Sequence, residues 1–348
     1  MTLLSGTGYC PSWLRTVFRN FHYFATAILA LALIPAFRIA HLPLRFAWGA
    51  YFVTYWWSLA FQSMIAATVL YAIGFPTEFW RSLTAASRAK ESPRNALLAL
   101  FVPSAYFFLM FILVFSYNDV IAVLRFNGSA DVTLNRIDSW ILGGETVSAL
   151  AHHVPLLTSK IMEGIYFLMF SQIGACLILL ALRCGRDMSM RFIATIATAY
   201  YFALVLFYLV PATGPYYLSA MAHNGNYIGL GQRAFVQMLN SMRDRHSLQI
   251  IGTDYFVALP CLHVTQPIIA IWFVRKWRTI AIVLSAYCLA LFPSIVLLEQ
   301  HYVVDLIGGA IVAVIAIAMV SPRVDVQGAP NGRASEIMAA LPVPATRL

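Results

Sequence analysis

The chain has 348 residues, of which 61% are hydrophobic and only 11% charged, with 23 Lys and Arg against 14 Asp and Glu. Soluble domains carry about 25% charged residues, so this composition excludes an ordinary soluble protein. The net charge of +9 does not read as nucleic-acid binding either, because Lys and Arg sit at the ends of apolar blocks and never form a run of five or six.

Eight apolar blocks follow one another, at 22–37, 46–73, 96–117, 163–182, 192–210, 262–274, 279–298 and 301–320. Blocks approaching 20 residues with almost no charge predict an all-α, polytopic bundle of about eight membrane spans. The first block, Tyr23 to Ala36, follows Arg15 and Arg19 but carries no small-residue cleavage site, so it reads as a retained span. The second is long enough to tilt. The sixth is short and needs residues before Cys261 to complete a crossing. Two long connections, 118–162 and 211–261, are mixed in character. Within the first, 139–160 reads as one amphipathic helix lying in the interface. The tail from Ser321 is rich in Pro, Gly, Ala and Arg and is expected to be disordered. The organisation read from these features is an N-terminal set of helices (1–117), a catalytic core (118–320) and a flexible cytoplasmic tail (321–348).

Positive charge sets the orientation. With both termini cytoplasmic, the short loops holding Arg81, Arg88, Lys90, Arg94, Arg183, Arg186, Arg191, Arg275, Lys276 and Arg278 all face inward. The two long connections then lie outside. The five cysteines (Cys10, Cys176, Cys184, Cys261 and Cys288) show no metal-ligand spacing and no disulfide framework.

Three motifs converge on that outer side. Pro211-Ala-Thr-Gly214-Pro215-Tyr216-Tyr217 follows the fifth span, where Pro and Gly stop the helix and turn the chain. Pro260-Cys261-Leu262-His263 places a histidine where the sixth span begins. His301-Tyr-Val-Val-Asp305 opens the last span, and its four-residue spacing puts imidazole and carboxylate one helical turn apart. A carboxylate there can accept one imidazole N–H, fix the tautomer and leave the other nitrogen as a nucleophile or ligand. Helix N-termini beside both histidines would favour an anion such as phosphate. Cys261 and His263, two apart on a helix, would point to different faces, so Cys261 reads as a packing residue.

In this order the three motifs resemble the type 2 phosphatidic acid phosphatase superfamily, and most closely its inositol phosphorylceramide synthase-like branch. The resemblance covers about residues 138–320 and extends to Leu306-Ile-Gly308-Gly309 after the last motif. It implies a six-helix core, a membrane lipid phosphate substrate, a small alcohol or sugar acceptor, and no cofactor or metal. By the same resemblance His301 would form a phosphohistidine, Asp305 would orient and charge-balance it, and His263 would act as acid and then base. Phosphate or substrate contacts are expected from Arg233, Arg243, Arg245, Pro211, Gly214 and Tyr216. The phosphatase branch carries an Arg six residues before the nucleophile, where this chain has Ile295, and its first Lys-containing motif has no clean match. That difference favours transfer to an alcohol over hydrolysis. The expected location is a bacterial inner membrane with the site on the extracytoplasmic face. Two other readings stay open at this level: a transporter or flippase, and a metalloenzyme built on the two histidines and Asp305.

Overall fold

The computed structural model describes residues 12–41, 50–84, 93–125, 129–220, 229 and 258–320. Among these residues every regular element is a helix: α1 (Ser12–Ile39), α2 (Ala50–Gly74), α3 (Pro76–Thr84), α4 (Pro93–Arg125), α5 (Ser129–Ile141), α6 (Val147–His152), α7 (Leu156–Leu209), α8 (Pro215–Ala220), α9 (Leu262–Val274), α10 (Arg278–Leu297) and α11 (Val303–Val320). The protein is an all-α polytopic membrane bundle. Five helices are long and apolar enough to cross a bilayer, and Ser58–Gly74 and Leu262–Val274 are shorter apolar helices. Among the described residues, each of the eight apolar blocks lies largely on one of these elements.

The central element is α7. As one straight helix its 54 residues would run roughly 80 Å, far beyond a hydrocarbon core of about 30 Å. Gly185 breaks it with φ 74°, a left-handed backbone that suits glycine, and two apolar limbs meet there. The limbs correspond to the blocks at 163–182 and 192–210. Around them pack α2, α4, α9, α10 and α11. The core is a continuous apolar cluster running from Ala67 and Met110 through Leu179, Ile196 and Phe207 to Ile269 and Ala313. α1 is tied in by a buried polar network. His22 Nδ1 lies 2.9 Å from the Tyr106 hydroxyl, and Thr26 bonds both Tyr106 and Tyr201. Side chains that could not find water in a bilayer thus find each other.

The bundle has two chemically distinct ends. One carries α3, the Gly185 break and the Arg275–Trp277 turn. Arg183 pairs with Glu78 and lies over the Phe75 ring, which in turn meets Trp277 edge-on. The other end carries α5, α6, α8, the 211–214 turn, and the starts of α9 and α11.

The structure corrects two local expectations. Segment 139–160 is not one helix: α5 ends at Ile141, Gly143 and Gly144 turn the chain at φ 70° and 104°, Thr146 caps α6, and Pro155 precedes α7. Paired glycines at positive φ and a proline outweigh the amphipathic pattern. The last helix begins at Val303 rather than at His301, so His301 lies in the bend before it. The tail from 321, and with it the expectation of disorder, lies outside the described residues.

Candidate active site

α5 lays the foundation. Asp131, Leu134 and Asp138 are buried on one face, since residues three and seven apart on a helix share a side. Leu134 packs with Ala212, Ala258 and Tyr302, while the two carboxylates reach into the loops around it.

Asp131 holds the 211–214 turn. It accepts N–H bonds from Thr213 at 3.0 Å and Gly214 at 2.8 Å, and hydroxyl bonds from Thr213 and Tyr302. Burial pushes its pKa up to about 6 against the opposing pull of these donors. The turn then lies directly on the loop before His301. Tyr216 N donates to Glu299 O, and Ala258 N donates to Ala212 O. Gly214 sits at φ 114°, and a Cβ there would stand 2.5 Å from the Gln300 carbonyl oxygen. Glycine is therefore required twice over.

Asp138 caps the last helix. Its oxygens accept from Val303 N at 2.6 Å and Val304 N at 3.0 Å. Asp305 completes the cap from within, accepting from Tyr302 N at 2.8 Å in the manner of a capping box. Burial raises the Asp138 pKa, opposed by those two N–H donors. The anion-favouring start of α11 is thus filled by a carboxylate of the chain itself.

His301 emerges from this frame fully oriented. Its Nδ1 lies 2.8 Å from the Ala258 carbonyl oxygen and 3.6 Å from Asp305 Oδ2. A carbonyl can only accept, so Nδ1 carries the proton and Nε2 faces the other way. There Nε2 meets His263 Nδ1 at 3.0 Å, and one proton must lie between the two nitrogens. Burial opposes charge on both rings, but at His301 Cys261 and the Asp305 carboxylate outweigh it and hold the pKa up, while burial and the neighbouring His301 keep that of His263 down. The His263 ring stacks on Tyr166, with centroids 4.6 Å apart. His263, His301 and Asp305 are all buried, at 7%, 4% and 0% exposure.

The approach of α9 to α11 sets the distance between the rings. Cys261 N donates to Asp305 O, and the Thr265 hydroxyl donates to Gly309 O at 2.8 Å. Gly309 permits this contact, because a Cβ on it would lie 2.2 Å from the Cys261 carbonyl oxygen. Cys261 itself precedes α9 with extended backbone. The expectation that its thiol and His263 diverge assumed that both were helical. In the fold, one ligand atom from each of Cys261, His263 and His301 lies within 4.8 Å of the others. Position 295 is apolar as the sequence requires: Ile295 is fully buried among Met169, Cys261, Val264 and Leu291.

Of the residues expected at the site, His263, His301, Asp305, Pro211, Gly214 and Tyr216 occupy the same end of the bundle, while Arg233, Arg243 and Arg245 lie outside the described residues. The sequence reading missed Asp131, Asp138 and Tyr166. The seven-residue spacing of two aspartates on an otherwise amphipathic helix was the available signal.

Comparison with known families finds a match to the family model described as PAP2 superfamily over residues 134–319. Searches of curated proteins and of solved structures return no match.

Proposed function

The chain belongs to the PAP2 superfamily of phosphatases and phosphotransferases, and from that premise we propose that it moves a phosphate-containing head group between a membrane lipid and an alcohol acceptor, in the manner of the inositol phosphorylceramide synthase-like branch. The observation that carries this reading is the 3.0 Å contact between His301 Nε2 and His263 Nδ1, with the far side of His301 fixed by Ala258 and Asp305.

In the proposed mechanism the shared proton rests on His301 in the free site and moves onto His263 when the anionic phosphate enters beside it, which makes a nucleophile of one ring and an acid of the other. His301 Nε2 attacks phosphorus, the P–O bond to the lipid breaks, and the leaving oxygen takes the proton from His263. The acceptor hydroxyl then gives its proton to His263 and attacks phosphorus, releasing His301. Asp305 balances charge on His301 throughout. In-line transfer puts phosphorus between the nucleophile and the leaving oxygen, with reacting contacts of about 3 Å, so substrate binding parts the two rings.

The N–H groups of Thr213, Gly214, Val303 and Val304 are engaged by Asp131 and Asp138. Charge on the non-bridging oxygens therefore falls to Arg233, Arg243 and Arg245, with Pro211, Gly214 and Tyr216 shaping the wall. Burial of the site and the apolar Ile295 support an alcohol over water as acceptor. The positive residues at the opposite end of the bundle support eight crossings and a site on the extracytoplasmic face of the membrane.

The test is transfer of label from a lipid phosphate in vesicles carrying the purified protein, with inositol or a sugar supplied. Label appearing in a phosphorylated alcohol is expected. Label released only as inorganic phosphate would establish the phosphatase alternative, and label left in the lipid would reject both.

A further inference from the structure

Phosphoryl transfer as proposed uses two imidazoles and one carboxylate, and gives the cysteine at their side no bond to make or break. Cys261 is fully buried and reduced. It brings a thiol beside a pair of histidines that meet at 3.0 Å through His263 Nδ1 and His301 Nε2, and one ligand atom from each of the three residues lies within 4.8 Å of the others. We propose that Cys261, His263 and His301 bind a thiophilic divalent ion of the Zn²⁺ class, which shuts the site by occupying the nitrogen lone pairs that phosphoryl transfer needs. The inhibitory consequence rests on the functional reading above; the binding site does not.

Three observations carry it. The first is geometric. Bonds of about 2.0–2.1 Å to nitrogen and 2.3 Å to sulfur place tetrahedral ligand atoms roughly 3.3–3.6 Å apart, so only modest side-chain adjustment is needed. Three protein ligands with an open fourth position is also an arrangement that zinc accepts. The second is the support behind the ligands. His301 Nδ1 is committed to the Ala258 carbonyl with Asp305 alongside, which is how metal-binding histidines are oriented from behind. The third is charge. Asp305 is fully buried, and its Oδ1 has no hydrogen-bond partner among the described residues. A dication held by one thiolate and two neutral imidazoles would leave one positive charge for that carboxylate to balance.

The thiol selects the ion. A soft sulfur ligand beside two imidazoles favours zinc and similar metals, while Mg²⁺ and Ca²⁺ require oxygen. A serine at position 261 would remove that preference.

The experiment uses the full-length protein, stripped with chelator and held at buffered free Zn²⁺. Each variant's rate is expressed against its own metal-free rate. Zn²⁺ should inhibit the wild type fully and reversibly, and Mg²⁺ should not. Cys261→Ser should raise the half-inhibiting Zn²⁺ concentration by at least about tenfold, whereas substitution of the exposed Cys184 to Ser should leave it unchanged. Binding is read separately by Co²⁺. One equivalent should give a sulfur-to-cobalt charge-transfer band with tetrahedral visible absorption, lost in Cys261→Ser and altered in His263→Ala. Equal Zn²⁺ inhibition of the wild type and Cys261→Ser, or Co²⁺ without a thiolate band, would overturn the proposal. A protein inactive on every lipid phosphate that still shows the band would overturn the functional reading alone.

Discussion

Gly309→Ala would press a methyl group into the contact that holds the start of α9 against α11. The added methyl would stand 2.2 Å from the Cys261 carbonyl oxygen and 3.2 Å from Thr265 Oγ1. Ordinary carbon contacts begin near 3.4 Å, so α9 and α11 must separate by about 1 Å, and backbone cannot rotate away as a side-chain tip can. Cys261 is two residues from His263, and the same movement carries the His263 ring about 1 Å relative to His301, off the position from which it must reach the leaving oxygen while His301 holds phosphorus. Misplacing reacting groups by 1 Å costs on the order of 100-fold in rate, and overpacking costs about 1–3 kcal/mol of stability. Initial rates on a lipid phosphate, read beside thermal unfolding in detergent, measure both. Two glycines serve as controls. Gly308→Ala meets the flexible tip of Leu259 at 3.0 Å and Pro260 only at an ordinary 3.5 Å and should be milder, and Gly164→Ala meets nothing within 4 Å and should be silent. A folded Gly309→Ala enzyme working within threefold of wild type would refute the claim that this helix contact sets the ring spacing.

Asp138→Asn should lower the unfolding temperature by the equivalent of about 1–3 kcal/mol, because an amide replaces one of two charged acceptors at the start of α11; an unchanged melt would show that the cap is not needed. Asp131 titrates at about 6, above the ordinary carboxylate value, so its ionised form clamps Thr213 and Gly214 only above that pH. Activity should fall as pH drops through 6, while folding stability gains slightly over the same window because the folded state binds the proton more tightly. Asp131→Asn should remove that acid limb from the pH–rate profile, and an identical profile in the variant would exclude Asp131 as its source. His263→Ala should cost about 100- to 10,000-fold with an alkyl leaving group and far less with an activated aryl one; equal losses with both would contradict the role of acid.

The sequence made the membrane architecture readable because span length and hydropathy are local properties. The eight apolar blocks need no knowledge of neighbours. The histidine motifs were readable because their order and spacing carry topology: spans of alternating direction bring His263 and His301 to one end. Asp131 and Asp138 were not readable, since their partners lie 82 and 165 residues away in sequence and no spacing encodes those bonds. Cys261 does pack in the apolar cluster around Ile295, as expected, but the nearness of its thiol to the histidines was missed for a local reason. Helical geometry was assumed one residue too early, and a residue in extended backbone before a helix does not obey helical facing rules.

The most direct measurement is rapid-quench trapping with a ³²P-labelled lipid phosphate, followed by mapping of the labelled site. A phosphoryl group stable to alkali, labile to acid and attached to Nε2 of His301 is the predicted result. Turnover with no label on the protein, or label on any other residue, would contradict the account.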